Sequence, residues 1–129
     1  VIHKSMSKND QGEKYLTRVK KIDSLKEIKN SKKRVNAIKI DVENFEYYVL
    51  SGGIKTLQTD KPIVYCELWE NENREYCIKL MKKINYQVKV LKNKQLVDYD
   101  KKVHHTQNFF FIPVTNEKST IQHPTSLTI

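Results

Sequence analysis

The residues best placed to do chemistry are carboxylates at points where an apolar stretch gives way to a polar one. Asp41, Glu43 and Glu46 form the run D-V-E-N-F-E, and Glu67 closes the apolar run P-I-V-Y-C-E-L two residues before Trp69. Carboxylates gathered beside a crevice can hold a cation, accept a substrate proton or take hydrogen bonds from ligand hydroxyls. Asp41 and Glu67 each interrupt a hydrophobic strand, where a charge costs desolvation unless it meets water or a partner. A functional role is therefore expected of these two. Glu43 and Glu46 fall in the first turn of a helix, where stabilising the helix dipole accounts for them as well as chemistry does. Trp69 either lines the crevice or caps the core, and its position leaves both open.

Other reactive types give weaker patterns. His104 and His105 are adjacent, so in an extended segment they point to opposite faces and chelate poorly. His3 and His123 lie in the terminal segments. Cys66 and Cys77 sit among apolar residues and read as small core side chains. No zinc-type spacing and no Ser-His-Asp or Cys-His arrangement can be written, so no metal is expected.

These carboxylates need elements to position them. Alternating apolar residues predict a strand over 15–22 that ends at Asp23, and a short helix over 24–29. A second strand covers 35–41 and ends on Asp41. Residues 44–59 carry a helical pattern interrupted by Gly52 and Gly53. The nearly continuous apolar run 62–68 predicts a strand buried on both faces. A helix is expected over 72–84, from Tyr76, Leu80 and Ile84 every four residues, and strands over 86–91 and 107–114. Strands alternating with helices imply βαβ units around a parallel sheet. The last two strands lack an intervening helix and are expected as an antiparallel pair on one edge. The fold class is thus α/β, mostly parallel with an antiparallel edge pair. In such sheets ligands bind beyond the carboxyl ends of the strands, where Asp41 and Glu67 fall.

Composition narrows the function further. At 129 residues the chain supports one domain, over residues 15–115, with polar segments over 1–14 and 116–129 expected as flexible ends. Neither a membrane span nor a signal peptide is legible, and two cysteines do not make a disulfide framework, so a cytoplasmic location is expected. With only three glycines, neither GxGxxG nor GxxxxGK[ST] occurs. The net charge of +9 raises nucleic acid as a partner, but the basic residues are mostly lysines scattered as KK pairs. A solvated basic surface is expected, with no specific nucleic-acid binding.

One run is more specific. A-I-K-I-D-V-E-N-F-E-Y-Y-V-L-S-G-G-I-K-T-L, residues 37–57, closely resembles the central motif of FkbM-type methyltransferases, IKIDVEGxExxVLxGGxxxL. V-K-K-I-D-S-L at 19–25, K-P-I-V-Y-C-E at 61–67 and the strand at 107–113 resemble the family's flanking segments in order. The resemblance spans residues 15–114. It implies a Rossmann-like sheet, S-adenosylmethionine as methyl donor and a hydroxyl oxygen of a sugar or other small molecule as acceptor. It also implies roles. Asp41 lies near both donor and acceptor, with Glu43 and Glu67 as further catalytic candidates; Asp23 joins Asp41 toward the cofactor, and Glu46, in the same motif, faces the substrate. Trp69 lies outside the matched segments and is expected as a second substrate-binding candidate from its place just past the strand end.

The chain departs from the pattern in two ways. Asn44 replaces the motif glycine, and Asn tolerates left-handed backbone best among the alternatives. The family's glycine-rich cofactor loop and ribose-binding acid would lie upstream of Val1, so an incomplete domain is expected. The strand at 35–41 would then present an unpaired edge, to be covered by the 15–22 strand, a second copy or a partner chain. The alternative expectation is a non-catalytic remnant of the fold, serving as a binding or assembly module.

Overall fold

The computed structural model describes residues 12–115. Most of the two terminal segments, with His3 and His123, lies outside the described residues. A 3₁₀ turn at Ile22–Ser24 and a short helix α1 (Lys26–Lys29) lead into strand β1 (Ala37–Ile40). Helices α2 (Glu46–Ser51) and α3 (Ile54–Asp60) follow, then β2 (Ile63–Glu67), helix α4 (Glu72–Lys83), β3 (Tyr86–Lys92), β4 (Gln95–Asp98) and β5 (Asn108–Pro113).

The five strands form one sheet in the order β1-β2-β5-β3-β4. The α/β class holds, but the sheet is not mostly parallel. Only β1 and β2 pair in parallel, while β2–β5, β5–β3 and β3–β4 are antiparallel. The reason is the return of β5. It runs between β2 and β3, and these two share a direction without touching as neighbours. The antiparallel partnership of β3 and β5 was expected, but it lies inside the sheet rather than at its edge. The far edge is β4, which the sequence reading left out. It closes a hairpin through Asn93 and Lys94, both at positive φ (50° and 63°), as a two-residue type I′ turn requires.

Burial alternates along the strands. Val64, Cys66, Phe109, Phe111, Val88 and Val90 point into one core with Leu57, Leu68, Cys77 and Met81. Register aligns Ile38 with Val64, Val64 with Phe111 and Phe111 with Val88 in a continuous apolar row. On the opposite face Tyr65 stacks on Phe110 at 4.9 Å between ring centroids, and both are half-buried. The run around β2 is therefore buried on one face and partly covered on the other. Continuous apolar sequence here records an aromatic pair, Tyr65 and Phe110, rather than a second helical layer.

The helical stretch 44–59 divides at Gly52 and Gly53, and the segment Lys21–Ile22 crosses there. A Cβ on Gly52 would come within 3.3 Å of the Lys21 side chain, and one on Gly53 within 3.2 Å of Ile22. The glycines thus permit a close approach of chain, and Asp23 N–H donates to Gly52 O at 3.0 Å. No strand forms over 15–22: residues 12–20 have no regular structure, and Tyr15, Leu16 and Val19 are exposed. That stretch does not cover the outer edge of β1, which pairs with nothing else among the described residues.

The centre of β5 carries the most packing. Replacing Phe111 by Ala is expected to cost about 3–5 kcal/mol in urea unfolding, because its ring fills the core between β2 and β3. Leu91→Ala, at an exposed position in β3, is expected to stay within about 0.5 kcal/mol of the parent.

Candidate functional site

The carboxyl ends of β1 and β2 lie side by side. Ile40 is in register with Cys66, so the next residues, Asp41 and Glu67, emerge at adjacent strand ends. Glu67 is half-buried and in register with Asn108 of β5, whose Oδ1 accepts from the Tyr65 hydroxyl at 3.0 Å. The Asp41 side chain is 43% exposed, and the exposed ammonium of Lys39 lies 3.9 Å from its Oδ2. A contact of that length between exposed groups is worth little. Trp69 lies just past β2 and is exposed, and its carbonyl accepts from Asn71 N–H in the loop leading to α4.

Beyond Asp41 the backbone turns sharply. Glu43 and Asn44 both adopt positive φ, 51° and 74°. Each such residue costs on the order of 1–2 kcal/mol unless its surroundings hold it. Glu46 does the holding. It is 2% exposed, its Oε1 accepts from Val42 N–H at 3.3 Å and Asn44 N–H at 3.2 Å, and its Oε2 accepts from Asn73 Nδ2 at 2.8 Å. The carboxylate expected to face substrate is thus occupied by the turn that presents Glu43, whose own side chain is exposed.

Asp23 is placed elsewhere. Its Oδ1 accepts from Thr56 N–H and Thr56 Oγ1, and its Oδ2 from Lys55 N–H, at 2.7–2.9 Å. It caps helix α3 from across the sequence, with both oxygens engaged. Burial raises its pKa, but the hydrogen bonds from Thr56 and Lys55 and the Lys55 charge outweigh that and hold it below the ordinary value. Both cysteines are buried, and burial pushes the Cys66 thiol far up and that of Cys77 up to about 12. His104 accepts from Asp100 N–H through Nδ1 at 2.9 Å and so closes a loop. No group of metal-ligating side chains forms among the described residues.

Four residues bearing on the site escaped the sequence reading: Asn71, Asn73, Arg74 and Asn108. Asn71 caps α4, its side chain accepting from Arg74 N–H, and an Asn ahead of Glu72 was a legible start signal. The long-range partners of the others had no signal in spacing. Cavities of about 220 and 270 Å³ lie away from the strand ends. Leu57, Lys61, Tyr86 and Pro113 line the first, and Asp23, Lys29, Lys33 and Lys55 line the second.

The family model for the methyltransferase FkbM domain matches residues 3–117. The chain belongs to this family. No curated protein and no solved structure gives a significant match. FkbM methyltransferases use S-adenosylmethionine, and the strand ends suit part of such a group. Asp41, Glu67 and the Asn108 amide can accept hydrogen bonds from an ammonium or from hydroxyls. No glycine-rich turn for the rest of the donor is present among the described residues, since Gly52 and Gly53 are buried under Lys21 and Ile22. No described helix is long and apolar enough to cross a membrane.

The cap made by Asp23 gives a pH-dependent expectation. Asp23→Ala should cost about 0.5–2 kcal/mol at neutral pH. A lowered carboxylate pKa stabilises the fold fully above the unfolded value of about 3.9. That contribution disappears as pH falls through the folded value. Urea unfolding of parent and variant should differ at pH 7 and converge in acid.

Proposed function

We propose that this chain performs S-adenosylmethionine-dependent methyl transfer to a hydroxyl oxygen of a sugar or other small molecule. The observation that carries the reading is the pair of neighbouring strand ends that terminate in Asp41 and Glu67. The donor, when bound, supplies an electrophilic methyl group. Asp41, open to solvent at the end of β1, accepts the hydrogen bond of the acceptor hydroxyl, orients its oxygen and would take up the proton that this oxygen sheds on methylation, with S-adenosylhomocysteine as the leaving product. Glu67 and Glu43 assist from the two sides. Trp69 offers the acceptor an apolar surface at the rim. Orientation is the main contribution a protein can make to such a displacement. In this reading the open edge of β1 is covered in the working protein by a further strand, from a second copy or a partner chain.

A second reading has its own observation. The described residues contain no glycine turn for the donor, and the unpaired β1 edge is a template for another chain. That favours a non-catalytic methyltransferase fold used as a binding or assembly module.

Calorimetric titration with S-adenosylhomocysteine separates the two. Saturable one-to-one binding is expected, and a folded chain that takes up none would sink the enzyme reading. Asp41→Ala should lower methyl transfer by about 100-fold or more, while a module would keep its partner after the same change.

A further inference from the structure

The first turn of α4 touches both walls of the crevice. On the β1 side, Asn73 Nδ2 donates to Glu46 Oε2 at 2.8 Å, and Asn73 Oδ1 accepts from Tyr47 N–H at 3.3 Å and lies 3.8 Å from Cys77 Sγ. Beside it, Asn71 Nδ2 donates to Asn44 Oδ1 at 2.8 Å. On the β2 and β5 side, Arg74 is 5% exposed, and its Nη2 donates to Leu68 O at 2.7 Å and Thr106 O at 3.1 Å. Its guanidinium lies 5.0 Å from the Phe109 ring centroid. Glu46 in turn receives the N–H groups of Val42 and Asn44, which flank Glu43 and immediately follow Asp41.

We propose that Asn73 is a positioning residue: through Glu46 it sets the left-handed turn after β1, and so fixes Asp41 relative to Glu67. Its amide is matched to its partners. The NH₂ donates to a carboxyl oxygen of Glu46, and the carbonyl oxygen accepts from the Tyr47 N–H. Glu46 is thereby oriented, with one oxygen toward α4 and the other toward the turn. Asn71 grips the same turn at Asn44, and Arg74 locks the opposite wall to the same helix. The β1–β2 register sets the strand ends side by side, and α4, which carries none of the candidate catalytic carboxylates, ties down the turn on one wall and the backbone on the other. The effect on ligand rests on the methyltransferase reading, whereas the effect on the turn does not.

The pair can be inverted. Asn73→Asp sets a carboxylate against Glu46, Glu46→Gln sets an amide NH₂ against the Asn73 NH₂, and the double variant restores donor to acceptor with the charge moved. Hydrogen exchange at the Val42 and Asn44 amides, melting temperature and S-adenosylhomocysteine affinity would be followed in all four proteins. Each single variant should speed exchange at these amides about tenfold and weaken the ligand, with β2 and β5 amides unchanged; the double variant should return to parent values.

Single variants that exchange like the parent, or a double variant no better than either single, would overturn the assignment. So would variants with a loosened turn and undiminished ligand affinity. A parent that binds no ligand while its variants show the exchange pattern would remove the methyltransferase reading and leave the role of Asn73 in the turn standing.

Discussion

The structure depends on where β5 goes. Without it, β1 and β2 would be a two-stranded parallel pair and β3 and β4 a separate hairpin, neither with enough buried surface to persist alone. Phe109 and Phe111 are fully buried on the face that β5 shares with β2 and β3. Because β5 is antiparallel to both neighbours, its start lies at the end of β2, and Asn108 arrives beside Glu67. One strand therefore joins the halves of the core and also completes one wall of the crevice.

Local elements were largely legible, and their arrangement was less so. Helix α4 announces itself through Tyr76, Leu80 and Ile84, the Asn71 cap, and acidic residues in its first turn opposite lysines in its last. The glycine pair marked the break between α2 and α3. The segment around Val19 has the alternation of a strand but no sheet edge against it, so tertiary context overrode the pattern. Hairpin β3–β4 escaped because its turn is Asn-Lys where Asn-Gly is the strong signal. Pairing direction was misjudged for a different reason: nothing within β5 records that it inserts between two strands distant in sequence.

The site divides in the same way. Asp41 and Glu67 could be found by asking where apolar strands end on a charge, a local question. Glu46 and Asp23 look alike in sequence, being acidic residues beside a helix start, and both have their oxygens engaged, those of Asp23 by Lys55 and Thr56 and those of Glu46 by two backbone N–H groups and the Asn73 amide. Exposure separates these supporting carboxylates from the open one at Asp41. Exposure is set by residues 27 to 33 positions away, beyond the reach of a periodicity argument.

Arg74 has a consequence of its own. A buried arginine is ordinarily answered by a carboxylate, but here its recorded partners are two carbonyl oxygens and an aromatic ring, and its Nε has none. The positive charge of Arg74 is answered by two carbonyl dipoles and a ring face, with no opposite charge among these partners. The junction of α4 with the ends of β2 and β5 accordingly rests on no ion pair among these contacts of Arg74. Helix α4 thus meets one wall of the crevice through a carboxylate, Glu46, and the other through backbone carbonyls, so loss of that carboxylate strikes the first wall and leaves the partners of the second in place.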